Sequence, residues 1–531
     1  MPRLPHAKAA LYGCLLALLL IAAPAWAQTT VNGQTETGAF YTFIVPDGWQ
    51  PANGLVIWNH GFDLNPISEN PDLGPLRDLH LSQGYAVAAS SYSQIGWALF
   101  QTIDDNEQMV RAFEQRFGIP DQVFVYGASL GGAVTVQAIE QADLGNIVGA
   151  LPICGALSGS RTWDGGLDVR LIYDAVCSDV PGANIPGGAT GLPFPPDPNF
   201  DETALVIAAE ACFGLLAGDA RSDEQTQRLL KFLSVTEIGA EFIITDLAIA
   251  TFGLFDLVFD PGKLAGGQGL GNANVVYGDP EIDATIQRVE VDPAAQQQLL
   301  DNYTPTGKVG DIKVVGLHTD KDGLIIVEQS IEYASIVPAA NMTLGVVVED
   351  PPTHCGFSQA ETAAAWETLR GWVGGLPQPS AATMQATCQG IEAGGLAAGP
   401  CRIDPTFETT PIGERIRPRS VCTPDDRTLC LNDGRFQVTA TWADFDGNTG
   451  VGRSLPQTAD TGALWFFAPT NLEVILKVLD GRQFNGNFWV FYGALSNVEY
   501  EITVVDTVSG VTKVYTNPSG NFASVGDTEA F

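Results

Sequence analysis

Apolar and polar positions follow one repeating pattern from residue 29 to about residue 377. Short apolar runs rich in β-branched and aromatic residues alternate with segments whose apolar residues recur at helical spacing, such as 103–117 and 359–373. This alternation predicts an α/β fold, a doubly wound and mostly parallel sheet with helices on both faces. The strand-like runs are residues 41–45, 55–59, 85–90, 123–126, 147–153, 312–318 and 344–348.

This pattern is interrupted between about residues 158 and 311. We interpret this stretch as a helical cap inserted into the sheet-forming domain. Its most apolar part, residues 242–259, contains two aspartates, which favours a buried or lid helix over a membrane span. The cap has a Pro- and Gly-rich loop at 181–198 and helical patterns at 202–216, 223–233 and 238–259.

The rest of the chain has a different character. Residues 377–418 are rich in Pro, Gly, Ala and Thr, which predicts a linker. In residues 419–531, short strands are separated by turn signals such as Asp-Gly and Asn-Gly, which predicts a small all-β, sandwich-like accessory domain. The predicted strands are residues 435–442, 463–467, 472–480, 488–494, 499–506 and 511–516.

Residues 1–27 have the pattern of a secretory signal peptide. A basic start and an apolar stretch at 11–23 precede the small-x-small sequence Ala25-Trp26-Ala27. We therefore expect a mature chain that starts at Gln28 and is secreted, to the periplasm or the extracellular medium. Within it, residues 28–376 form the predicted catalytic domain, and no membrane span remains after signal removal.

Cysteine usage agrees with export. Nine cysteines minus Cys14 of the predicted signal leave eight, and an even count in an exported chain favours disulfides over metal or redox sites. The sequence does not fix the connectivity. The pairs that we expect are Cys154–Cys355, Cys177–Cys212, Cys388–Cys401 and Cys422–Cys430.

The charge balance excludes one class of partner. The chain has 61 Asp and Glu against 26 Lys and Arg, a formal net charge of −35 at pH 7. Such a field repels phosphate backbones, so we expect no nucleic-acid binding.

The strongest chemical signal is Gly127-Ala128-Ser129-Leu130-Gly131, which follows a strand-like run and precedes a helical one. This is G-x-S-x-G in the strand–turn–helix context that a serine nucleophile requires. The glycines leave room for a tight turn that lifts the hydroxyl above the sheet. The alternative is an ordinary Gly-rich turn, but the context favours Ser129 as a nucleophile.

A serine nucleophile needs a base, and the predicted mature chain has four histidines. His354 lies in a loop between the last core strand and the last core helix, the place that a triad base occupies. His60 opens His60-Gly61-Phe62 after a strand, which resembles an oxyanion-hole motif in which the N–H groups of Phe62 and Leu130 bind the developing oxyanion. We expect His80 to be a surface or hydrogen-bonded residue, while His318 ends a strand beside an acidic turn.

The acid that orients the base is expected just after that strand, in His318-Thr319-Asp320-Lys321-Asp322-Gly323. Asp322 lies at the better distance beyond the strand, and Asp320 remains the alternative. The resulting chain order is serine, acid, histidine.

These residues together resemble the α/β-hydrolase family over about residues 31–375, apart from the cap. Segments 87–93, 151–155 and 354–357 resemble a group of secreted bacterial members. The resemblance implies a core of about eight strands and acyl transfer without a metal or other cofactor. Gly323 departs from the stiff residue that often follows the acid, which leaves the choice between Asp320 and Asp322 open.

The C-terminal region resembles a β-rich module that recurs at the ends of unrelated secreted bacterial proteins. Stretches 441–445, 488–497 and 525–528 carry this resemblance, which implies no catalytic role. Its aromatic residues form either a binding strip for a polymer or surface, or simply the core of the domain. Core packing is favoured.

The leading hypothesis is a secreted serine esterase that cleaves small or polymeric carboxylic esters, with Tyr92 and Trp163 as possible pocket residues. A lipase or polyester depolymerase is compatible with it. The first alternative is a serine peptidase of the prolyl-oligopeptidase type, which usually has a β-propeller that this chain has no room for ahead of its core. The second is a non-catalytic surface-binding protein on a hydrolase scaffold, although such scaffolds typically lose a triad member.

Overall fold

The computed structural model describes residues 28–531, with gaps. The gaps are 188–199, 217–219, 237, 274, 276, 409–421, 423, 433, 482–484, 486 and 507–511. The predicted signal peptide, most of the predicted loop at 181–198 and the end of the predicted linker therefore lie outside the described residues.

One large mixed sheet organises the first part of the chain. Its strands lie in the order β1-β2-β4-β3-β5-β6-β7-β8-β9. Strands β3 to β8 are parallel to one another, whereas the pairs β1–β2, β2–β4 and β8–β9 are antiparallel. This is the strand order of the α/β-hydrolase fold, with one added edge strand, and it confirms the predicted fold class. The strands are β1 (Gln28–Gln34), β2 (Phe40–Pro46), β3 (Leu55–Asn59), β4 (Ala86–Ser90), β5 (Val123–Ala128), β6 (Ile147–Ile153), β7 (Lys313–Thr319), β8 (Met342–Val347) and β9 (Ile403–Asp404).

Helices cover both faces of this sheet, because its strands are apolar on both sides. Met109 and Phe113 of α2, with Ala138 of α3, cover one face, and Trp366 and Leu369 of α12 cover the other. The helices that flank the sheet are α1 (Arg77–Ser82), α2 (Thr102–Phe117), α3 (Leu130–Gln141), α11 (Glu328–Ile336), α12 (Gln359–Val373) and α13 (Ala381–Ala393).

The predicted linker differs from the structure at its start. Helix α13 and strand β9 lie within residues 377–418 and pack on the sheet, where Met384 and Cys388 are wholly buried. The Cys388–Cys401 disulfide closes this segment. Composition averaged over residues 377–418 concealed the helix, because the helix formers Ala, Met, Gln and Glu of α13 are surrounded by Pro and Gly.

The cap lies between β6 and β7 and is helical, as predicted. Its core is continuous with that of α3, and the Cys177–Cys212 disulfide joins α4 to α5. The cap helices are α4 (Thr162–Cys177), α5 (Glu202–Phe213), α6 (Asp223–Thr236), α7 (Ile243–Ala248), α8 (Leu254–Phe259), α9 (Pro280–Thr285) and α10 (Pro293–Asn302).

A π-helical turn, Ile249–Gly253, joins α7 to α8 into one continuous apolar segment. Within the part of the chain that the structure describes, Ala240–Phe259 is the one helix long and apolar enough to cross a membrane, and 56% of its most apolar window is buried. This burial places one side of the segment in the core of the cap.

The C-terminal region forms two antiparallel sheets that share one core, as predicted for a sandwich. One sheet has the order β10-β11-β17-β18 with β12 beside β11, and the other has the order β13-β14-β15-β16-β19. Arg435 forms a bidentate ion pair with Asp506 at the end of this core. The strands are β10 (Leu429–Leu431), β11 (Phe436–Ala443), β12 (Thr449–Val451), β13 (Arg453–Pro456), β14 (Thr461–Trp465), β15 (Val474–Asp480), β16 (Phe488–Ala494), β17 (Glu499–Asp506), β18 (Thr512–Asn517) and β19 (Ser524–Asp527).

All four expected cysteine pairs are disulfides. Each has a Cα–Cα distance between 5.5 and 5.8 Å. Cys154–Cys355 closes the longest loop, with a sequence separation of 201, so it removes the most freedom from the unfolded chain.

The prediction for His80 was wrong. Its ring is wholly buried under α12, 4.3 Å from the ring of Trp366 and 5.0 Å from that of Tyr126. Neither ring nitrogen has a hydrogen-bond partner among the described residues. The sequence did not reveal this burial because α1 has only six residues, too few for a clear apolar face.

Burial lowers the pKa of His80 from 6.5 to about 3, which makes it an acid-sensitive point of the fold. Between these two pH values the unfolded state binds a proton that the folded state excludes, so stability falls as the pH falls, by about 1.4 kcal/mol for each pH unit. We expect His80→Leu to remove this contribution. Urea denaturation of both proteins at about pH 7 and about pH 5 measures it. Equal losses of stability in wild type and variant on acidification would contradict the prediction.

Candidate active site

Ser129 occupies the sharp turn between β5 and α3. Its backbone has φ 57° and ψ −125°, a conformation that side chains rarely adopt and that stores strain at functional sites. The turn is fixed on both sides, because the N–H of Ser129 donates to the carbonyl of Ile153 at 3.0 Å and its carbonyl accepts from Gly132 at 2.9 Å. The serine is held at the carboxyl end of the sheet and at the N-terminus of a helix.

The glycines of the motif are required by close backbone approach. A Cβ on Gly127 would lie 2.2 Å from the carbonyl oxygen of Gly131. A Cβ on Gly131 would lie 1.9 Å from the carbonyl oxygen of Asn59. Both distances are far below van der Waals contact, so the turn around Ser129 accepts only glycine at these positions.

His354 and Asp322 form a hydrogen-bonded pair. Nδ1 of His354 donates to Oδ2 of Asp322 at 2.6 Å, and the carboxylate is buried while the imidazole is 22% exposed. The other carboxylate oxygen accepts from the backbone N–H groups of Leu324 and Ile325, at 3.1 and 3.0 Å. With the proton on Nδ1, Nε2 carries the lone pair and is left as an acceptor.

The alternative acid, Asp320, has a different partner. Its Oδ1 accepts from the backbone N–H of Glu349 at 2.9 Å, which fixes the chain leaving β8. Burial raises the pKa of Asp320. The geometry therefore favours Asp322 as the residue that orients His354.

A disulfide ties this pair to the serine turn. Cys355, next to His354, is bonded to Cys154, which directly follows the residue that accepts the hydrogen bond from Ser129. Both cysteines have positive φ, 41° at Cys154 and 59° at Cys355. The Sγ of Cys355 lies 3.4 Å from Nε2 of His354, and no hydrogen bond joins Nε2 to Ser129 in the described structure.

The same side chains are the candidates for a metal site. Ligand-type atoms of Asp322, His354 and Cys355 lie within 4.8 Å of one another. Cys355 is oxidised, so its sulfur is not a thiolate ligand, and Oδ2 of Asp322 already accepts from the imidazole. This donor set suits a hydrogen-bonded acid–base pair better than a metal ion.

The oxyanion-hole prediction concerns the backbone N–H groups of Leu130 and Phe62, on either side of the serine. Leu130 is the first residue of α3, and Gly61 lies so close that a Cβ on it would be 3.4 Å from Cβ of Ser129. Within the described residues, neither Leu130 nor Phe62 donates its N–H in a hydrogen bond to another residue. Neither N–H is therefore used by an acceptor among these residues, and the role of the two groups as an oxyanion hole stays a prediction.

Ser129 lines a cavity that the cap covers. The cavity holds about 670 Å³ of space between atoms, its open mouth included. Phe62 and Trp97 flank Trp163 with ring-centroid distances of 6.1 and 5.5 Å. The cavity is lined by Phe62, Trp97, Ser129, Leu130, Ala156, Thr162, Trp163, Gly165, Gly166, Asp246, Ile249, Leu324, Ile325 and Gln329.

Of the two predicted pocket residues, Trp163 lines this cavity and Tyr92 does not. Tyr92 is wholly buried, its ring stacks on His60 at 4.1 Å, and its hydroxyl donates to the carbonyl of His60 at 3.2 Å. A positive φ of 53° turns it beneath the loop that carries Phe62. Tyr92 therefore supports that loop from below, a role that the sequence did not indicate.

The sequence reasoning missed most of the cavity wall. For Asp246 there was a signal, because a carboxylate interrupts an otherwise apolar run of the cap. For Trp97, Leu324 and Ile325 there was none, because nothing in their local pattern distinguishes a wall residue from a core residue.

The cap is anchored to the loop before α2 by a buried ion pair. Lys263 contacts Asp256 and donates to the carbonyl of Ile95 at 3.0 Å, while Asp256 accepts from the N–H of Trp97 at 3.4 Å. Burial raises the pKa of Asp256, and Lys263 opposes this shift. The anchor fixes Trp97 at the cavity.

Comparisons with known proteins give similar structures only. No family model matches the chain, and no curated protein matches it. An esterase from Pyrococcus furiosus is 12% identical with a TM-score of 0.31, covering 66% of this chain and 90% of its own. The esterase RhEst1 from Rhodococcus sp. is 14% identical with a TM-score of 0.32, covering 65% and 99%. The rice cell wall degrading esterase LipA from Xanthomonas oryzae is 12% identical with a TM-score of 0.30, covering 65% and 87%. Likeness at this level does not indicate a function.

The packing at Gly131 gives a test of the serine turn. We expect Gly131→Ala to lower the free energy of unfolding by about 1–3 kcal/mol, because the new methyl group displaces the backbone at Asn59. The matched control is Gly390→Ala in α13, where a Cβ meets nothing within 4 Å and better helix propensity adds up to about 1 kcal/mol. Urea denaturation measures both, and an unchanged stability in Gly131→Ala would contradict the geometry.

Proposed function

We propose that this protein is a secreted serine hydrolase that cleaves carboxylic esters through an acyl-enzyme. The observation that carries the proposal is the 2.6 Å hydrogen bond between His354 and Asp322, linked through a disulfide to a strained serine turn. A serine on such a turn, a histidine with a buried acid behind it and two available N–H donors are the parts that acyl transfer uses.

Each group has a role in this mechanism. His354 takes the proton of Ser129 through Nε2, and the serine oxygen attacks the ester carbonyl. The N–H groups of Phe62 and Leu130 bind the oxyanion, and Asp322 stabilises the imidazolium that forms. His354 then protonates the leaving alcohol, and water releases the acid from Ser129 in the same way.

The lining of the cavity favours a substrate that carries an apolar group. Its aromatic wall of Phe62, Trp97 and Trp163 lies beside the serine, and a mostly apolar lining with a few polar groups is typical of small-molecule sites. Leu324 and Ile325 complete the wall on the side of Asp322. We propose that the acyl group binds here and that the leaving alcohol points towards the open mouth.

Export is the second part of the proposal. Eight cysteines of the described residues form four disulfides, which is typical of proteins in an oxidising compartment. This supports the signal peptide that we expect at residues 1–27.

Hydrolysis of p-nitrophenyl esters from acetate to palmitate tests the mechanism. Ser129→Ala and His354→Ala should each lower kcat by about 10⁵- to 10⁶-fold, and Asp322→Asn by about 10⁴-fold, because the three side chains act as a unit. Asp320→Asn is the matched control and should retain most of the wild-type kcat. Activity that persists in Ser129→Ala, or that depends on Asp320 and not on Asp322, would contradict the proposal.

The C-terminal sheets supply a proposed surface for an insoluble polymer substrate. The aromatic residues considered for a binding strip are Trp442, Trp465, Phe466, Phe467, Trp489 and Tyr492. Phe466 and Tyr492 are core residues, but Phe467 is 47% exposed and packs against the half-buried Trp442 with a ring-centroid distance of 4.8 Å. Phe445, 64% exposed, adds a third ring to the same region of the sequence. We propose that these rings contact the polymer.

Sedimentation of the mature chain with insoluble polyester or polysaccharide particles tests this surface. The double variant Trp442→Ala with Phe467→Ala should stay in the supernatant. The control Leu495→Ala, which removes an exposed apolar side chain elsewhere, should sediment with the particles as the wild type does. Equal retention of both variants would contradict a role for the rings.

A further inference from the structure

His318 is a buried histidine that the proposed mechanism does not use. It lies near the end of β7 and is wholly buried. Nε2 lies 2.7 Å from the carbonyl oxygen of Ile325, and Nδ1 lies 2.6 Å from the hydroxyl of Ser330 in α11. The imidazole therefore joins a strand, the turn that follows it and the next helix.

The two partners fix the proton on the ring. A carbonyl oxygen only accepts, so Nε2 carries the proton and donates to Ile325. Nδ1 then accepts from the hydroxyl of Ser330. Burial lowers the pKa of His318, although Asp322 opposes this shift, which is consistent with a neutral ring in this single tautomer.

Ile325 is the point at which His318 reaches the candidate active site. Its N–H donates to Oδ1 of Asp322 at 3.0 Å, its carbonyl accepts from His318, and its side chain lines the cavity. His318 contacts neither Ser129 nor the cavity itself. Its Nε2 lies 3.7 Å from Oδ2 of Asp322, beyond hydrogen-bond distance, so the hydrogen bonds of His318 reach the acid only through the turn.

We infer that His318 is a positioning residue for Asp322. By holding the carbonyl of Ile325, it keeps the N–H groups of the turn on Oδ1 and so leaves Oδ2 aimed at Nδ1 of His354. The same bond keeps Leu324 and Ile325 in the cavity wall. The inference rests on the proposed function for its effect on catalysis, but the effect on the His354–Asp322 bond is independent of any substrate.

His318→Gln and His318→Asn differ by one methylene group, and together they test the two hydrogen bonds of His318 one at a time. In His318→Gln the amide nitrogen can reach the place of Nε2 and donate to Ile325. In His318→Asn the amide reaches only the place of Nδ1, so the bond to Ser330 can be kept and the bond to Ile325 is lost. Ser330→Ala removes the other partner and serves as a third variant.

We expect His318→Gln and Ser330→Ala to keep nearly the wild-type kcat on p-nitrophenyl esters. His318→Asn should lower kcat by about 10- to 100-fold, the size of effect found when a metal-ligating side chain loses the group that orients it. The downfield proton resonance of Nδ1–H in His354, assigned by its loss in His354→Ala, should persist in His318→Gln and broaden or disappear in His318→Asn. Urea denaturation of each variant checks that the fold is retained.

A purely structural role would give another pattern. If His318→Gln were as impaired as His318→Asn, or if both kept the wild-type kcat and the downfield resonance, the positioning role would be overturned. If the wild type hydrolysed no ester, the proposed function would fail, and the resonance alone would still decide whether His318 holds Asp322.

Discussion

The hydrogen bond between His354 and Asp322 is the contact on which the rest of the site depends. It joins the loops that follow two neighbouring strands, β7 and β8, and it aims the free nitrogen of the imidazole. The neighbouring backbone and the disulfide each hold one partner of this hydrogen bond. The backbone of the turn 322–325 holds the acid, and the Cys154–Cys355 disulfide holds the chain beside the histidine.

The parallel sheet explains why residues so far apart in sequence meet. The carboxyl ends of β5, β6, β7 and β8 all lie at the same end of the sheet. The loops that follow these strands therefore carry Ser129, Cys154, Asp322 and His354 side by side. The cap is inserted between β6 and β7, at that same end of the sheet. Some 150 residues can therefore be inserted over the cavity without disturbing the order of the strands, because surface connections tolerate long insertions.

Much of this arrangement could be predicted because it is local or follows from chain order. The serine turn needs glycines at fixed positions, and the choice of His354 followed from its place after the last strand. The cavity wall and the roles of Tyr92, His80 and His318 could not be predicted, because they depend on which distant side chains meet. Asp320 and Asp322 are two residues apart, and only the partners of their carboxylates separate them.

The most direct test of the central claim is the reaction of the mature protein with an alkyl fluorophosphonate, mapped by mass spectrometry of its peptides. The account predicts one adduct, on Ser129, whose rate of formation falls steeply in Asp322→Asn and stays near wild type in Asp320→Asn. No adduct on the folded wild-type protein, or an adduct on another residue that forms equally fast in Asp322→Asn, would contradict it.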